Sequence, residues 1–225
     1  MLLAGPVRAD NPLLDDAPPV MNYRPLLDGR HMLSLQFGLT LGDPYVQNLM
    51  AGLGYRYHLT SWFGFGLDAM AGGGVRTSLA DDIEAERSTP DTPFELSTSA
   101  IRFMGALAVE FVPFTGKALV FSDAVVRIDL HLTLGIGAAL VSGEGLIEDS
   151  VSIAPMFGVG LRIFPTQWLS IGFDLKDWVL TRQISSRRDE TGGSSVPAAE
   201  FGHNWMFGLS VGFSFPTNPA REVGQ

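Results

Sequence analysis

Residues 125–140 read Val-Val-Arg-Ile-Asp-Leu-His-Leu-Thr-Leu-Gly-Ile-Gly-Ala-Ala-Leu. The even-numbered positions are Val126, Ile128, Leu130, Leu132, Leu134, Ile136, Ala138 and Leu140, all of them apolar. The odd-numbered positions are Val125, Arg127, Asp129, His131, Thr133, Gly135, Gly137 and Ala139, a set of charges and small residues. A helix would smear the two sets around its circumference. A strand sorts them onto opposite faces, because successive side chains point opposite ways. The stretch therefore predicts one long strand with a bulky apolar face and a polar, small-residue face.

The same alternation recurs outward from this stretch in both directions. It predicts further strands over 30–40, 47–59, 62–76, 99–112, 151–164, 168–181 and 203–215, eight in all. Most exceed the ~5–6 residues of an average soluble strand. They suit the ~9–11 residues a tilted strand needs to cross a bilayer. Connections after the second and sixth strands are tight (60–61, 165–167), the one after the fourth is longer (113–124), and those at 77–98 and 182–202 are long and polar. Short turns at one rim and long loops at the other are the outer-membrane pattern, with the short turns in the periplasm. The bulky face is continuous enough for lipid, and the Gly, Ser and Ala of the other face fit a narrow lumen. The reading is an all-β protein: a closed, eight-stranded, antiparallel, up-and-down transmembrane β-barrel over 30–215. It would sit in the outer membrane of a Gram-negative bacterium, surrounded by outer-membrane lipid.

Composition agrees with that reading. Of 225 residues, 46% are hydrophobic and 17% charged, the latter below the ~25% of soluble domains. A net charge of −9 without clustered Lys or Arg argues against a nucleic-acid partner. The absence of Cys excludes disulfides and thiolate chemistry. Residues 1–9 resemble the end of a secretory signal, with Val7 and Ala9 where a signal peptidase reads small residues. Residues 10–29, rich in Pro and Asp, read as a flexible periplasmic leader, and 216–225 as a C-terminal periplasmic tail.

Two sets of side chains follow from the strand pattern. Tyr55, Tyr57, Trp62 and Phe63 flank the first tight turn, Phe111, Phe164 and Trp168 flank the others, and Phe213 and Phe215 close the last strand. Together they predict an aromatic girdle at the periplasmic interface. The inward positions hold Arg56, Arg102, Arg127, Arg162 and Lys176 against Asp68, Glu110, Asp129 and Asp174, with His131 among them. Charges in a narrow lumen must be paired, so these residues predict an ion-pair network that plugs the barrel.

The residues give little support for catalysis. His131 shares a face with Asp129, a spacing that would orient an imidazole, yet no nucleophile or second acid is placed beside it. His58 reads as an interfacial polar group and His203 as an exposed residue near a loop; the four histidines show no metal-ligand spacing. Gly72-Gly73-Gly74 leads into a polar loop and not into a helix, so it reads as a bulge or crowded rim, not a phosphate cradle. The acidic residues of 77–98 match no calcium-loop spacing and read as a solvated face.

The segment Pro113-Phe114-Thr115-Gly116-Lys117-Ala118-Leu119-Val120-Phe121, followed by Val126-Arg127-Ile128-Asp129-Leu130 and Gly135-Ile136-Gly137, resembles the outer-membrane β-barrel domain family common in myxobacteria. The stretch from Arg30-His31 to Gly42-Asp43-Pro44-Tyr45 is similar to that family's first hairpin, so the resemblance runs over about 28–216. It implies fold and location. Most members have no assigned activity, so no catalytic, cofactor or metal residue carries over. The expected function is a non-enzymatic barrel with a structural, anchoring or loop-mediated role. Its partners would be the barrel assembly machinery and a protein bound at 77–98 and 182–202. A narrow pore for small solutes is the alternative, followed by a lipid-modifying enzyme using His131 or His203.

Overall fold

A computed structural model describes residues 27–88, 96, 98–120, 124–143, 149–183 and 199–217. The signal-like stretch, most of the leader, the greater part of the 182–202 loop and most of the tail lie outside these residues. The chain forms strands β1 (Arg30–Leu41), β2 (Val46–His58), β3 (Phe63–Arg76), β4 (Ser99–Val120), β5 (Ala124–Gly143), β6 (Ser150–Phe164), β7 (Leu169–Gln183) and β8 (Ala199–Phe215), with one helix, α1 (Ser78–Arg87), between β3 and β4. Each strand pairs antiparallel with its sequence neighbours, and β8 closes on β1.

The register fixes the girth of the barrel. A walk across the ladders from His31 passes Tyr57, Phe65, Val109, Leu134, Phe157, Asp177 and Trp205, and returns to β1 at Leu41, ten residues further along. Eight strands with that stagger tilt by about 40° and enclose a cylinder about 8 Å in radius, which side chains fill.

The two faces are sorted as the alternation requires. Leu33, Leu35, Phe37 and Leu39 on β1 and Leu132, Leu134, Ile136 and Leu140 on β5 are exposed outward. Ser34, Gln36 and Thr40 on β1 and Asp129, His131 and Thr133 on β5 are buried inside. This inverts the arrangement of a soluble barrel, which hides its apolar face.

Three local departures from the expected pattern have physical causes. First, 113–120 is strand and not loop. β4 continues to Val120 and pairs with β5 from Phe114↔Leu130 to Val120↔Ala124, beyond the Phe63↔Phe111 pair where β3 leaves off. Pro113, which has no N–H to give a ladder, sits in the register shift between Phe111 and Phe114, where strands tolerate proline. Second, 77–98 contains α1. Thr77 caps it, its hydroxyl accepting from the Ala80 amide, and Arg76 pairs with Asp81 and Glu84 on the helix. Third, a bulge between Ile101 and Phe103 reverses the face of β4 above it. Ile101 turns inward and is buried, while Arg102 turns outward and is exposed.

Candidate functional site in the barrel lumen

The inward positions of β2 to β7 bring charged side chains to a common level. Asp68 Oδ2 sits 2.6 Å from Arg56 Nη2 and 3.4 Å from Lys176 Nζ, while its Oδ1 accepts from Gln36 Nε2 at 2.8 Å. Arg56 Nε lies 3.6 Å from Glu110 Oε2, and Glu110 Oε1 takes Arg162 Nη2 at 2.9 Å and His58 Nε2 at 3.0 Å. Arg162 Nη1 lies 3.5 Å from Asp129 Oδ2. His131 then bridges Asp129, at 3.4 Å from Nδ1, and Asp174, at 2.9 Å from Nε2. The chain of contacts starts at Lys176 on β7, circles the lumen and ends at Asp174, also on β7. It is a belt.

The belt is close to charge balance. Arg56, Arg162 and Lys176 face Asp68, Glu110, Asp129 and Asp174, which leaves one anion over. His131 stands between two of those carboxylates, one at each ring nitrogen, where a doubly protonated ring would supply the fourth cation. Gly160 lets that ring lie against β6, since a Cβ there would stand 2.3 Å from Nε2. With both nitrogens engaged and the residue 3% exposed, His131 has no free atom for a substrate.

Apolar side chains flank the belt on both sides. Toward the long-loop rim, Met50, Met70, Met104, Met156 and Met206 pack with Trp178, Leu180 and Ile101 into a buried cluster across the lumen. Unbranched Met side chains fill irregular space well. Toward the short-turn rim, Leu27 packs on Val112 and Phe164. Among the described residues the belt lines a cavity of about 20 Å³, room for a single water.

At the short-turn rim Arg30 is buried and its guanidinium donates to four carbonyls: Gln167 at 2.7 Å, Pro216 at 2.9 Å, and Ser214 and Thr217 at 3.3 Å. It ties the start of β1 to the β6–β7 turn and to the chain leaving β8, across the seam that closes the barrel.

The expected site residues fall into three groups. Arg56, Asp68, Glu110, Asp129, His131, Arg162, Asp174 and Lys176 are brought together as described. Arg102 is not in the lumen, because the β4 bulge turns it outward. Arg127 points inward but is half-buried at the short-turn end, with no ion pair among the described residues and its Nη1 unpartnered. Of the girdle, Tyr55, Tyr57, Trp62, Phe63, Phe111, Trp168, Phe213 and Phe215 face outward near the short turns. Trp62 meets Phe111 edge-on at 5.7 Å, and Trp168 stacks on Phe213 at 6.0 Å. Phe164 does not belong: its even-numbered position on β6 points it into the lumen, where it is 4% exposed.

The sequence reading missed four features. His58 is not interfacial but a fully buried member of the belt. The methionine layer was visible in advance as Met at inward positions of β2, β3, β4, β6 and β8. Arg30 gave no signal beyond its place at a strand start. The fourth is Asp177, which stands on the outward face of β7 among apolar residues and shares a hydrogen bond with His203 Nδ1.

No protein-family model matches the chain, and no curated protein matches it. Among solved structures, the chain is similar to the N-terminal β-barrel domain of Pseudomonas aeruginosa OprF, with 11% identity, a TM-score of 0.47, and 84% of this chain and 98% of that one covered. It is similar to the outer membrane protein OprG of the same organism, with 10% identity, a TM-score of 0.47 and coverage of 84% and 96%. Ail, the attachment invasion locus protein of Yersinia pestis, matches with 16% identity, a TM-score of 0.42 and coverage of 84% and 99%.

Proposed function

We propose that this protein is an integral outer-membrane barrel with a structural and anchoring role, whose lumen is closed to solutes and which performs no catalysis. The observation that carries the reading is the three-level filling of the lumen: an ion-paired belt held between the Leu27, Val112 and Phe164 cluster and a methionine layer. A solute crossing the barrel would have to displace both apolar layers and break ion pairs between them, and neither step has a compensating site. The outward apolar wall fits lipid, where every backbone polar group must be paired internally, and a closed barrel meets that demand. The short-turn rim, with its aromatic girdle, faces the periplasm. The myxobacterial-type barrel family is the kinship we favour. Insertion would depend on the barrel assembly machinery. The connection at 77–98, with α1, and the one between β7 and β8 at 184–198 would present a surface to a protein partner outside the cell.

Fractionation of expressing cells, followed by SDS gels with and without boiling, tests the reading. Closed barrels resist SDS until heated, so the expected result is a heat-dependent shift in the outer-membrane fraction. A soluble protein whose mobility ignores boiling would overturn it.

A further inference from the structure

On the outer wall, one row of the sheet runs Phe157, Asp177, Trp205, Leu41 across β6, β7, β8 and β1. The rings of Phe157 and Trp205 meet edge-on at 5.7 Å, spanning the strand that lies between them. Beneath that bridge Asp177 has no exposed surface, and its Oδ1 has no hydrogen-bond partner. Its Oδ2 meets His203 Nδ1 at 2.5 Å, and the His203 side chain is 66% exposed. A carboxylate buried on the lipid-facing side of a barrel is costly, and nothing in the lumen network touches it.

A phosphate oxygen at the exposed edge of the His203 ring calls for an N–H there. The pair supplies one in either of its uncharged forms, carboxylate with imidazolium or carboxylic acid donating to Nδ1 of a neutral ring, since both leave Nε2 bearing hydrogen.

The height of the pair selects the acceptor. His203 stands twelve residues up β8 from Phe215, at the girdle end. At ~3.3 Å per residue and a ~40° tilt this is roughly 30 Å, just above an apolar band ~25 Å tall. Trp205, two residues lower, is at the upper edge of the band, where amphipathic rings settle. We propose that the Asp177–His203 pair is a binding site for the phosphate of an outer-leaflet lipid, with Nε2–H donating to a phosphate oxygen and the Phe157–Trp205 bridge receiving the adjoining acyl region. The site rests on the outer-membrane reading above.

Native mass spectrometry of the protein released from maltoside micelles tests the site. The added probes are phosphatidylglycerol, lipid A, and dioleoylglycerol, which lacks phosphate. The variants are His203→Ala, Asp177→Asn and, as a control at the opposite rim, His31→Ala. Each sample is first checked for the heat-dependent gel shift, so failure of the barrel reading is seen separately from failure of the site. The site predicts that wild type and His31→Ala retain a phosphate-bearing lipid about fivefold more than His203→Ala or Asp177→Asn, and dioleoylglycerol equally in all four. Preference between the two phosphate lipids names the source. Equal retention by heat-shifting wild type and His203→Ala would overturn the proposal. So would displacement of the lipid by an equal concentration of inorganic phosphate, because the aromatic bridge would then contribute nothing.

Discussion

The lumen holds two layers that solve the same packing problem by opposite means. The belt fills its level with charges and satisfies them through fixed partners: Glu110 alone serves Arg56, Arg162 and His58. The layer above it fills its level with Met50, Met70, Met104, Met156 and Met206, which ask only for volume. Geometry is exacting in the first, since removing one partner strands the others in a low-dielectric interior. It is forgiving in the second, since a flexible apolar chain adapts to what surrounds it. The difference teaches that the belt sets which arrangement of strands is acceptable, while the methionine layer seals whatever arrangement results.

Substitutions break or sharpen this contrast, read as urea unfolding in lipid vesicles followed by tryptophan fluorescence. The largest effect is expected from Glu110→Ala, which removes the carboxylate shared by two buried guanidinium groups, leaves the belt with an excess of positive charge and should cost about 3–5 kcal/mol. Met104→Ala, at a position with no exposed surface, should cost about 2–4 kcal/mol through the cavity it opens. Met70→Leu conserves volume and should cost less than about 1.5 kcal/mol. Arg102→Gln should change stability by no more than about 0.5 kcal/mol, since the bulge leaves that side chain outside the lumen. A cost for Arg102→Gln as large as that of Glu110→Ala would return Arg102 to the belt and refute the assigned register.

The strands were legible because period-two alternation is a local signal. β1 and β6 differ from the expected 30–40 and 151–164 by a single residue at one end. What failed was whatever depended on one extra residue or on distance across the barrel. The bulge after Ile101 inverts a face without altering the apparent alternation, so alternation alone points Arg102 inward. Nearness to a turn suggests a girdle place for Phe164, although its own parity points it inside. The partners within the belt were beyond reach: Lys176 and Asp68 are 108 residues apart and meet only across the closed lumen. The number of charges was readable, but their pairing depends on the stagger of the whole barrel. Asp177 was readable as an interruption of the apolar face of β7, and its pairing with His203 requires the β7–β8 register.

Single-channel recording in planar bilayers tests the central claim most directly. Purified, heat-shifting protein inserted at low density should give no resolved openings at any moderate voltage, because the belt and both apolar layers close the lumen. Regular unitary openings from the wild-type chain would contradict the account, and would mean that the methionine layer and the belt part to let ions through.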